Sequence, residues 1–301
     1  MVSLISNKEL DGRIEAAYGL LEACRVCPRE CGVDRLKNDK MGFCRSGLNP
    51  VVASASAHHG EEPPLSGNKG SGTIFLANCN MKCVYCQNYP ISQFGNGVEK
   101  TSAELACQML LLQEQGCHNL NLVTPTHFMP QILKAWGLAR ERGFSLPLVY
   151  NTSGYESVEA LKLLSGIVDI YLPDMRYSDD RIAMLYSTAP HYVEVNRAAV
   201  LEMYQQVGNL ELDEQGIAKR GLIVRHLVLP GGLSGTEGVM KFLAEEISKD
   251  VHISLMSQYF PACNASEIKE LSRKTTAEEY DEACGIMEKY GLENGWVQEL
   301  E

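Results

Sequence analysis

Short apolar stretches alternate with amphipathic stretches along the chain from residue 72 onward. The apolar stretches have the length and aliphatic content of buried strands, and the stretches between them place apolar residues at helical spacing. The predicted strands cover residues 73–77, 119–123, 146–150, 167–172, 222–229 and 251–256. Strand and helix repeated in this way indicate an α/β fold with a parallel sheet. Because six strands cannot complete an eight-stranded TIM barrel, we expect a partial (β/α)6 TIM-type barrel.

Four matches to the capping-box pattern, in which Ser or Thr precedes Glu by three residues, predict where helices begin. The pairs are Thr101 and Glu104, Ser153 and Glu156, Ser234 and Glu237, and Thr275 and Glu278. They open predicted helices over residues 105–115, 158–164, 239–247 and a last helix that ends near residue 290. Helical periodicity is also present over residues 8–23 and twice within 178–208.

Two segments lack such periodicity. Residues 51–72 are rich in Ser, Gly, Pro and His and predict an ordered loop, and residues 209–220 predict a polar excursion. The tail is expected to pack back onto the barrel through Trp296. The predicted parts are 1–71 (helix, cysteine-rich lobe and connector), 72–260 (barrel) and 261–301 (C-terminal helix and tail).

The composition is that of a globular protein with an acidic balance. The 301 residues are 45% hydrophobic and 22% charged, with a net charge of −11. Nucleic acid and anionic membranes bind clustered positive charge, so neither is an expected partner. We see no signal peptide and no apolar run of roughly 18 residues, so we expect a cytoplasmic protein. Because disulfides are uncommon there, the 11 cysteines are better explained as metal ligands.

Three cysteines, Cys79, Cys83 and Cys86, lie within eight residues directly after the first predicted strand. Iron in iron–sulfur clusters prefers thiolate sulfur, so three thiolates on one loop suit a 4Fe–4S cluster. One of the four irons would then keep an open position for a small molecule. A zinc knuckle or buried thiols are the alternatives, although zinc needs a fourth nearby ligand and none follows Cys86 at short range.

A second group of cysteines, Cys24, Cys27, Cys31 and Cys44, follows the first predicted helix. Together with Pro28 and the intervening glycines they predict a small metal-binding lobe. The spacing suits zinc, mononuclear iron or a second iron–sulfur cluster, and free thiols are a further alternative. The scattered cysteines are expected to be small core residues, and these are Cys107, Cys117, Cys263 and Cys284.

Polar residues follow the predicted strands at their carboxyl ends, where ligands bind in parallel α/β folds. They are Thr124, Thr126, His127, Asn151, Asp174 and Arg176, and the predicted strand 222–229 itself carries Arg225. Their hydroxyl, amide, carboxylate and guanidinium groups suit a ligand with an amino acid moiety, a ribose and an adenine. Ser153 is expected to be a helix cap instead. His58, His59 and Tyr259, with His127, are candidates to line the barrel mouth.

The spacing C-x3-C-x2-C, followed by Gln87 and Asn88, resembles the signature of the radical S-adenosylmethionine (SAM) superfamily. Four segments resemble the activating enzymes of glycyl radical enzymes, in particular the PflX-type branch, which is homologous to pyruvate formate-lyase activating enzyme. These segments are 72–88, 124–127, 172–177 and 224–231. The four-cysteine lobe and residues 59–67 resemble that branch as well, so the resemblance extends over most of the chain.

The resemblance implies which residues bind cofactors. They are Cys79, Cys83 and Cys86 on a 4Fe–4S cluster, Tyr85 beside the adenine of SAM, and Asp174, Arg176 and Arg225 on the rest of SAM. The sequence departs from the family at 124–127, where Thr-Pro-Thr-His replaces a Gly-Gly-Glu segment that meets the SAM amino group. Hydroxyl groups or the His127 ring would then take the place of a carboxylate. Arg176 stands where the family has Lys, which preserves charge but not geometry.

The implied reaction is reductive cleavage of SAM to methionine and a 5′-deoxyadenosyl radical, which abstracts a hydrogen atom from a substrate. The first hypothesis extends this to a glycyl radical enzyme as the protein substrate. The second is a peptide or small-molecule substrate without such a partner, and the third is a non-catalytic iron–sulfur electron carrier or sensor. A one-electron donor such as flavodoxin or ferredoxin is the expected redox partner.

Overall fold

The computed structural model describes residues 5–298, which form ten helices and ten strands besides shorter turns. The helices are α1 (Asn7–Gly19), α2 (Pro63–Ser66), α3 (Tyr89–Ser92), α4 (Ser102–Glu114), α5 (Met129–Glu141), α6 (Val158–Lys162), α7 (Asp180–Ser187), α8 (Tyr192–Val207), α9 (Thr236–Phe242) and α10 (Ala277–Lys289). The strands are β1 (Val51–His58), β2 (Ser71–Leu76), β3 (Val98–Glu99), β4 (Leu120–Val123), β5 (Leu148–Thr152), β6 (Ile170–Pro173), β7 (Glu211–Leu212), β8 (Ala218–Leu227), β9 (His252–Met256) and β10 (Gly295–Val297).

Seven strands run parallel and lie side by side in the order of the chain: β2, β4, β5, β6, β8, β9 and β10. At one edge β1 pairs antiparallel with β2, and β3 pairs with β1, while β7 forms a short antiparallel pair with β8. Because each parallel strand pairs with the next one along the chain, the sheet winds in one direction as in a barrel. The predicted α/β fold with a partial barrel is confirmed, and each of the six predicted strands is present.

The barrel strands divide their side chains between an outer and an inner core. In β4, Leu120 and Leu122 are fully buried in the main core, which also contains side chains of α4 and α5. Asn121 lies between them and therefore points to the opposite, inner face. A smaller apolar cluster combines Leu65 of α2 with Val149, Ile170, Leu172, Ala218 and Ile223. Short helix α2 thus helps to fill the barrel interior.

The prediction of a loop over residues 51–72 is wrong. Val51–His58 is strand β1, whose residues pair with β2 from Val52 opposite Leu76 to His58 opposite Ser71. Pro63–Ser66 is a helix that begins with proline, as helices often do. The sequence does not predict this strand because alternating Ala and Ser have a low preference for strands. Pairing along one edge of β2 stabilises it nevertheless.

The predicted capping box at α4 is confirmed, since Thr101 and Glu104 each accept a backbone hydrogen bond from the other. The box predicted at Ser153 and Glu156 is wrong. Helix α6 begins after Ser157, and the Glu156 side chain is buried and bonded to other side chains instead. A carboxylate that finds buried hydroxyl donors is not available to cap a helix.

The two later capping boxes are also displaced. The residue before α9 is Gly235 and not the predicted cap Ser234. The hydroxyl of Ser234 accepts a hydrogen bond from Leu229 N at 3.3 Å instead of capping the helix. The box that begins α10 lies one residue later than predicted, at Thr276 and Glu279. Thr275 cannot cap the helix because its hydroxyl is buried and donates to the Val228 carbonyl at 2.8 Å.

The tail packs onto the barrel as predicted. Strand β10 extends the sheet beyond β9, and Trp296 Nε1 donates to Glu62 Oε2 at 2.6 Å. The predicted part 261–301 therefore contributes a strand to the same sheet as the barrel. Residues 1–4 and 299–301 of the predicted parts lie outside the described residues. Among the described helices, none has the length and apolar character needed to span a membrane.

Candidate active site at the carboxyl ends of the strands

The cluster loop, defined here as residues 77–88, leaves β2 at its carboxyl end and carries the three cysteines of the C-x3-C-x2-C motif. Its start is held by a backbone hydrogen bond to β1. Its middle is held by the end of α7, because Lys82 N donates to the Ser187 carbonyl at 3.0 Å and Val84 N to the Tyr186 carbonyl at 2.8 Å. The loop is therefore fixed between two parts of the fold that are far apart in sequence.

The thiol groups of the cluster loop are free of disulfides and largely shielded from solvent. Burial, and then the neighbouring Cys83, raise the pKa of Cys79 to about 12 and raise the pKa of Cys86. Donors nevertheless face the sulfurs: Met81 N lies 3.4 Å from Cys79 Sγ, and Ser92 Oγ lies 3.1 Å from Cys86 Sγ. A positively charged metal centre would hold such a set as thiolates, so soft donors and their hydrogen-bond partners fit an iron–sulfur cluster.

Two arginines share one buried carboxylate next to the cluster loop. Asp174 accepts from Arg176 Nη2 at 2.5 Å and from Arg225 Nε at 2.8 Å. Arg225 Nη2 also donates to Asn151 Oδ1 at 2.7 Å, and Arg176 Nη1 lies 3.5 Å from Cys83 Sγ. Burial alone would lower the pKa of both arginines, but the facing Asp174 carboxylate reverses this and raises it. Both guanidinium groups are therefore charged.

A cavity of about 180 Å³ lies between these groups and the cluster loop. Its walls combine polar groups from several strand ends with one cluster cysteine, and the lining residues are Tyr85, Cys86, Gln87, Asn88, Asp174, Arg176, Arg225, Leu227, Met256 and Gln258. Arg176 Nε is buried and has no hydrogen-bond partner among the described residues. A buried donor without a partner fits an anionic group of a ligand in this cavity.

A second cavity of about 610 Å³ shares four of these lining residues, so the two cavities are adjacent. Its further walls include His58, Glu61, Glu62, Phe75 and Trp296. Together the cavities are in the size range of sites for cofactors and small substrates. His58 therefore lines the larger cavity, which it reaches from the amino end of β2, where its backbone pairs with Ser71.

Two other candidates for the mouth lie elsewhere. The ring of His59 lies against Gly70 rather than in the cavity. The hydroxyl of Tyr259 donates to the Leu271 carbonyl at 2.6 Å, and its ring packs edge-on against Tyr85 at 5.9 Å between centroids. Tyr259 thus supports the cavity wall from behind.

The structure does not bring residues 124–127 to either cavity. Thr124 adopts a left-handed conformation with φ 58°, and the next residues form a short turn. The Thr126 hydroxyl donates to buried Glu156 at 2.5 Å. His127 Nε2 lies 2.8 Å from the Ala77 carbonyl, and burial lowers the pKa of His127 to about 3. The expectation that these side chains meet SAM is not supported, because the turn directs them to Glu156 and to the Ala77 carbonyl rather than into either cavity.

The cysteine lobe, defined here as residues 24–44, brings its four cysteines to one small cavity of about 10 Å³. Cys27 lies at this cavity with Cys24, Cys31 and Cys44, and burial raises its pKa, with smaller contributions from the other three thiols. His127 lines the same cavity. Within residues 5–298, however, no three His, Cys, Asp or Glu side chains already stand as ligands of one metal ion.

Two arginines anchor the cysteine lobe, and Arg29 joins it to the cluster loop. Arg29 Nε donates to the Asn80 carbonyl at 2.9 Å, and its guanidinium stacks 3.6 Å from the centroid of the Phe43 ring. Arg35 is fully buried and donates to the carbonyls of Gly47 and His127. The lobe therefore packs directly on the cluster loop rather than standing apart from the barrel.

Comparison with known proteins gives a relative that matches most of this chain. An uncharacterized protein of Methanocaldococcus jannaschii is 30% identical over 294 residues, which cover 94% of this chain and 80% of that protein. No protein-family model matches the chain.

Solved structures of low sequence identity share the fold. A radical SAM methyltransferase from Sphaerobacter thermophilus superimposes with a TM-score of 0.50 at 13% identity, over 75% of this chain and 66% of that one. The FeFe-hydrogenase maturase HydG from Carboxydothermus hydrogenoformans gives a TM-score of 0.52 at 12% identity, over 75% of this chain and 52% of that one. The chain thus spans between about half and two thirds of these proteins, and the likeness identifies the barrel fold.

Proposed function

Because the chain belongs to the same family as the uncharacterized protein of Methanocaldococcus jannaschii and has the barrel fold of a radical SAM methyltransferase and a hydrogenase maturase, we propose that it is a radical SAM enzyme. The observation that carries the proposal is the C-x3-C-x2-C loop at the carboxyl end of the first barrel strand, beside two adjacent cavities. When bound, a 4Fe–4S cluster and SAM supply reductive cleavage of SAM and a 5′-deoxyadenosyl radical that abstracts hydrogen from a substrate.

Cys79, Cys83 and Cys86 hold the cluster in this proposal. Each of their sulfurs faces at least one hydrogen-bond donor, and such donors orient thiolate ligands and stabilise their charge. Backbone hydrogen bonds to the end of α7 fix the loop on either side of Cys83.

The polar groups of the smaller cavity hold SAM. Arg225 and Arg176 keep their charge through Asp174, and the unpartnered Arg176 Nε can donate to the SAM carboxylate. Tyr85 and Asn151 are the proposed neighbours of the adenine and ribose. The proposal omits Thr124, Thr126 and His127, which lie outside both cavities.

The larger cavity admits the substrate to the hydrogen-abstraction site and shields that site from water. Its walls mix acidic, basic, aromatic and amide groups and come from β1, α2, β2, β4, β5, β8, β10 and the cluster loop. A reactive primary radical must form against its target, so a substrate group has to reach the boundary between the two cavities. A protein or peptide substrate fits this geometry if it inserts one extended segment.

We further propose that the cysteine lobe holds a second metal centre, either zinc or iron. Four thiols that face one buried cavity, with no disulfide formed within residues 5–298, suit a closed thiolate site. Because Arg29 of the lobe donates to the Asn80 carbonyl, the proposed centre would lie beside the cluster loop. The expected external partner is a one-electron donor such as flavodoxin or ferredoxin.

Electron paramagnetic resonance of the reconstituted and reduced protein tests the proposed cluster. We expect a reduced 4Fe–4S signal whose line shape changes when SAM is added, because SAM binds the open iron. Cys83→Ala should lose this signal, whereas Cys107→Ala should keep it, because Cys107 is exposed on α4 and is not the core residue that the sequence predicts. A SAM-sensitive signal in the Cys83 variant would contradict the cluster assignment.

A second candidate function is radical modification of a partner protein. Installing a glycyl radical on a glycyl radical enzyme would be one such modification. The resemblance of residues 72–88 and 224–231 to activating enzymes favours it. Incubation of the enzyme, SAM and reductant with a candidate glycyl radical enzyme should then give a glycyl radical signal. Cleavage of SAM without that signal for any such partner would favour a peptide or small-molecule substrate.

A further inference from the structure

Cys83 differs from the other two cysteines of the cluster loop in where its hydrogen-bond donors come from. Ser187 Oγ, at the end of α7, donates to Cys83 Sγ at 3.0 Å, and Arg176 Nη1, after β6, lies 3.5 Å from the same sulfur. The donors to Cys79 and Cys86 belong to the loop itself or to the helix directly after it. Only this sulfur thus contacts side chains that tertiary folding brings from about a hundred residues away.

A chain of three hydroxyl groups ends on this sulfur. The Tyr85 hydroxyl lies 2.5 Å from the Tyr177 hydroxyl, which in turn lies 2.7 Å from Ser187 Oγ. A thiolate can only accept hydrogen bonds, so Ser187 must donate to Cys83. Ser187 then accepts from Tyr177, and Tyr177 accepts from Tyr85, so all three O–H dipoles point toward the sulfur.

The backbone holds the last link of this chain in place. Lys82 N and Val84 N, on either side of Cys83, donate to the carbonyls of Ser187 and Tyr186. Ser187 and Tyr177 are almost completely buried, with 0% and 1% of their surface exposed. Water therefore does not compete for the sulfur, and each dipole acts in a medium of low dielectric constant.

We propose that Ser187, supported by Tyr177 and assisted by the charge of Arg176, is a positioning residue that stabilises the reduced state of the cluster through Cys83. The inference rests on the proposed function, because it requires a cluster on this loop. Adding an electron makes a cluster more negative, and hydrogen bonds and positive charge at its sulfur ligands favour that state. The hydroxyl chain therefore raises the reduction potential of the cluster.

The test is a redox titration of the reconstituted protein, followed by electron paramagnetic resonance without SAM. Ser187→Ala should shift the midpoint potential to a more negative value with the iron content unchanged. Tyr177→Phe leaves the Ser187 donor in place but removes its polarising neighbour, so we expect a smaller shift in the same direction. Ser145→Ala is the matched control, because Ser145 is exposed before the start of β5 and should leave the potential at the wild-type value.

The outcomes separate this inference from the proposed function. A wild-type protein without a reducible cluster would contradict the proposed function itself. A cluster whose midpoint is the same in wild type, Ser187→Ala and Tyr177→Phe would overturn the inference and leave the proposed function intact. If Ser187→Ala does not retain iron, the test rests on Tyr177→Phe, which keeps the Ser187 hydroxyl that contacts the sulfur. A Tyr177→Phe midpoint potential equal to that of wild type would then overturn the inference.

Discussion

Asp174→Asn tests the charge network that the proposed SAM site depends on. The Asp174 side chain is 9% exposed and its partners Arg176 and Arg225 are 24% and 19% exposed, so solvent screens these pairs only weakly. Removing one partner of a buried ion pair costs about 3–5 kcal/mol, because it leaves charge without compensation. Asparagine keeps one acceptor oxygen, so we expect the free energy of unfolding to fall by about 3 kcal/mol, the lower end of that range.

Urea unfolding followed by far-ultraviolet circular dichroism, under anaerobic conditions, measures this change. Asp179→Asn is the control, because Asp179 pairs with Arg181 on the surface and asparagine still caps α7. The control should unfold at the same urea concentration as wild type. If Asp174→Asn stays within about 1 kcal/mol of wild type, the value typical of surface pairs, the two arginines do not depend on the carboxylate and our description of the site is wrong.

Three further predictions concern other parts of the fold. Trp296→Phe removes the donor to Glu62 while keeping an aromatic ring, and should lower the free energy of unfolding by about 1–3 kcal/mol in the same urea experiment. Burial raises the pKa of Glu156 to about 7 from 4.5, so the native state binds its proton more tightly than the unfolded state does. The stability this contributes is present below pH 4.5 and is lost as the pH rises through about 7. The free energy of unfolding of Glu156→Gln should therefore rise relative to that of wild type as the pH increases from about 5 to about 8. A difference between the two proteins that does not change with pH would contradict the raised pKa of Glu156. Replacement of the three cluster-loop cysteines by Ala should leave zinc or iron in the cysteine lobe by mass spectrometry, and an added Cys44→Ala change should remove it; no metal in the first variant would contradict a lobe site.

Much of the site could be predicted from the sequence because it follows from local patterns. The cysteine spacing and the apolar run before it place the cluster loop at the end of a strand. Parallel strands end at one edge, so Asp174 and Arg225 meet there although 51 residues separate them. Each inference needed only the period of the strands and the direction of the sheet.

Other features depend on tertiary packing that has no local signal. His127 follows β4 as expected, but a short turn directs its ring to the Ala77 carbonyl and the cysteine lobe. Ser187 lies 104 residues from Cys83 and meets it only because the end of α7 packs on the cluster loop. Glu156 matched a capping box, yet buried hydroxyls bind its carboxylate instead. In each case a contact formed by folding prevails over a local preference.

The most direct measurement of the central claim is SAM cleavage by the reconstituted and reduced protein under anaerobic conditions. We predict that wild type forms 5′-deoxyadenosine and methionine, that Cys107→Ala forms as much of each product as wild type does, and that Cys83→Ala forms neither. Deuterium transfer from a labelled substrate into 5′-deoxyadenosine would then identify the substrate. A wild-type protein that carries a reduced 4Fe–4S cluster and leaves SAM intact would contradict the account and favour an electron carrier.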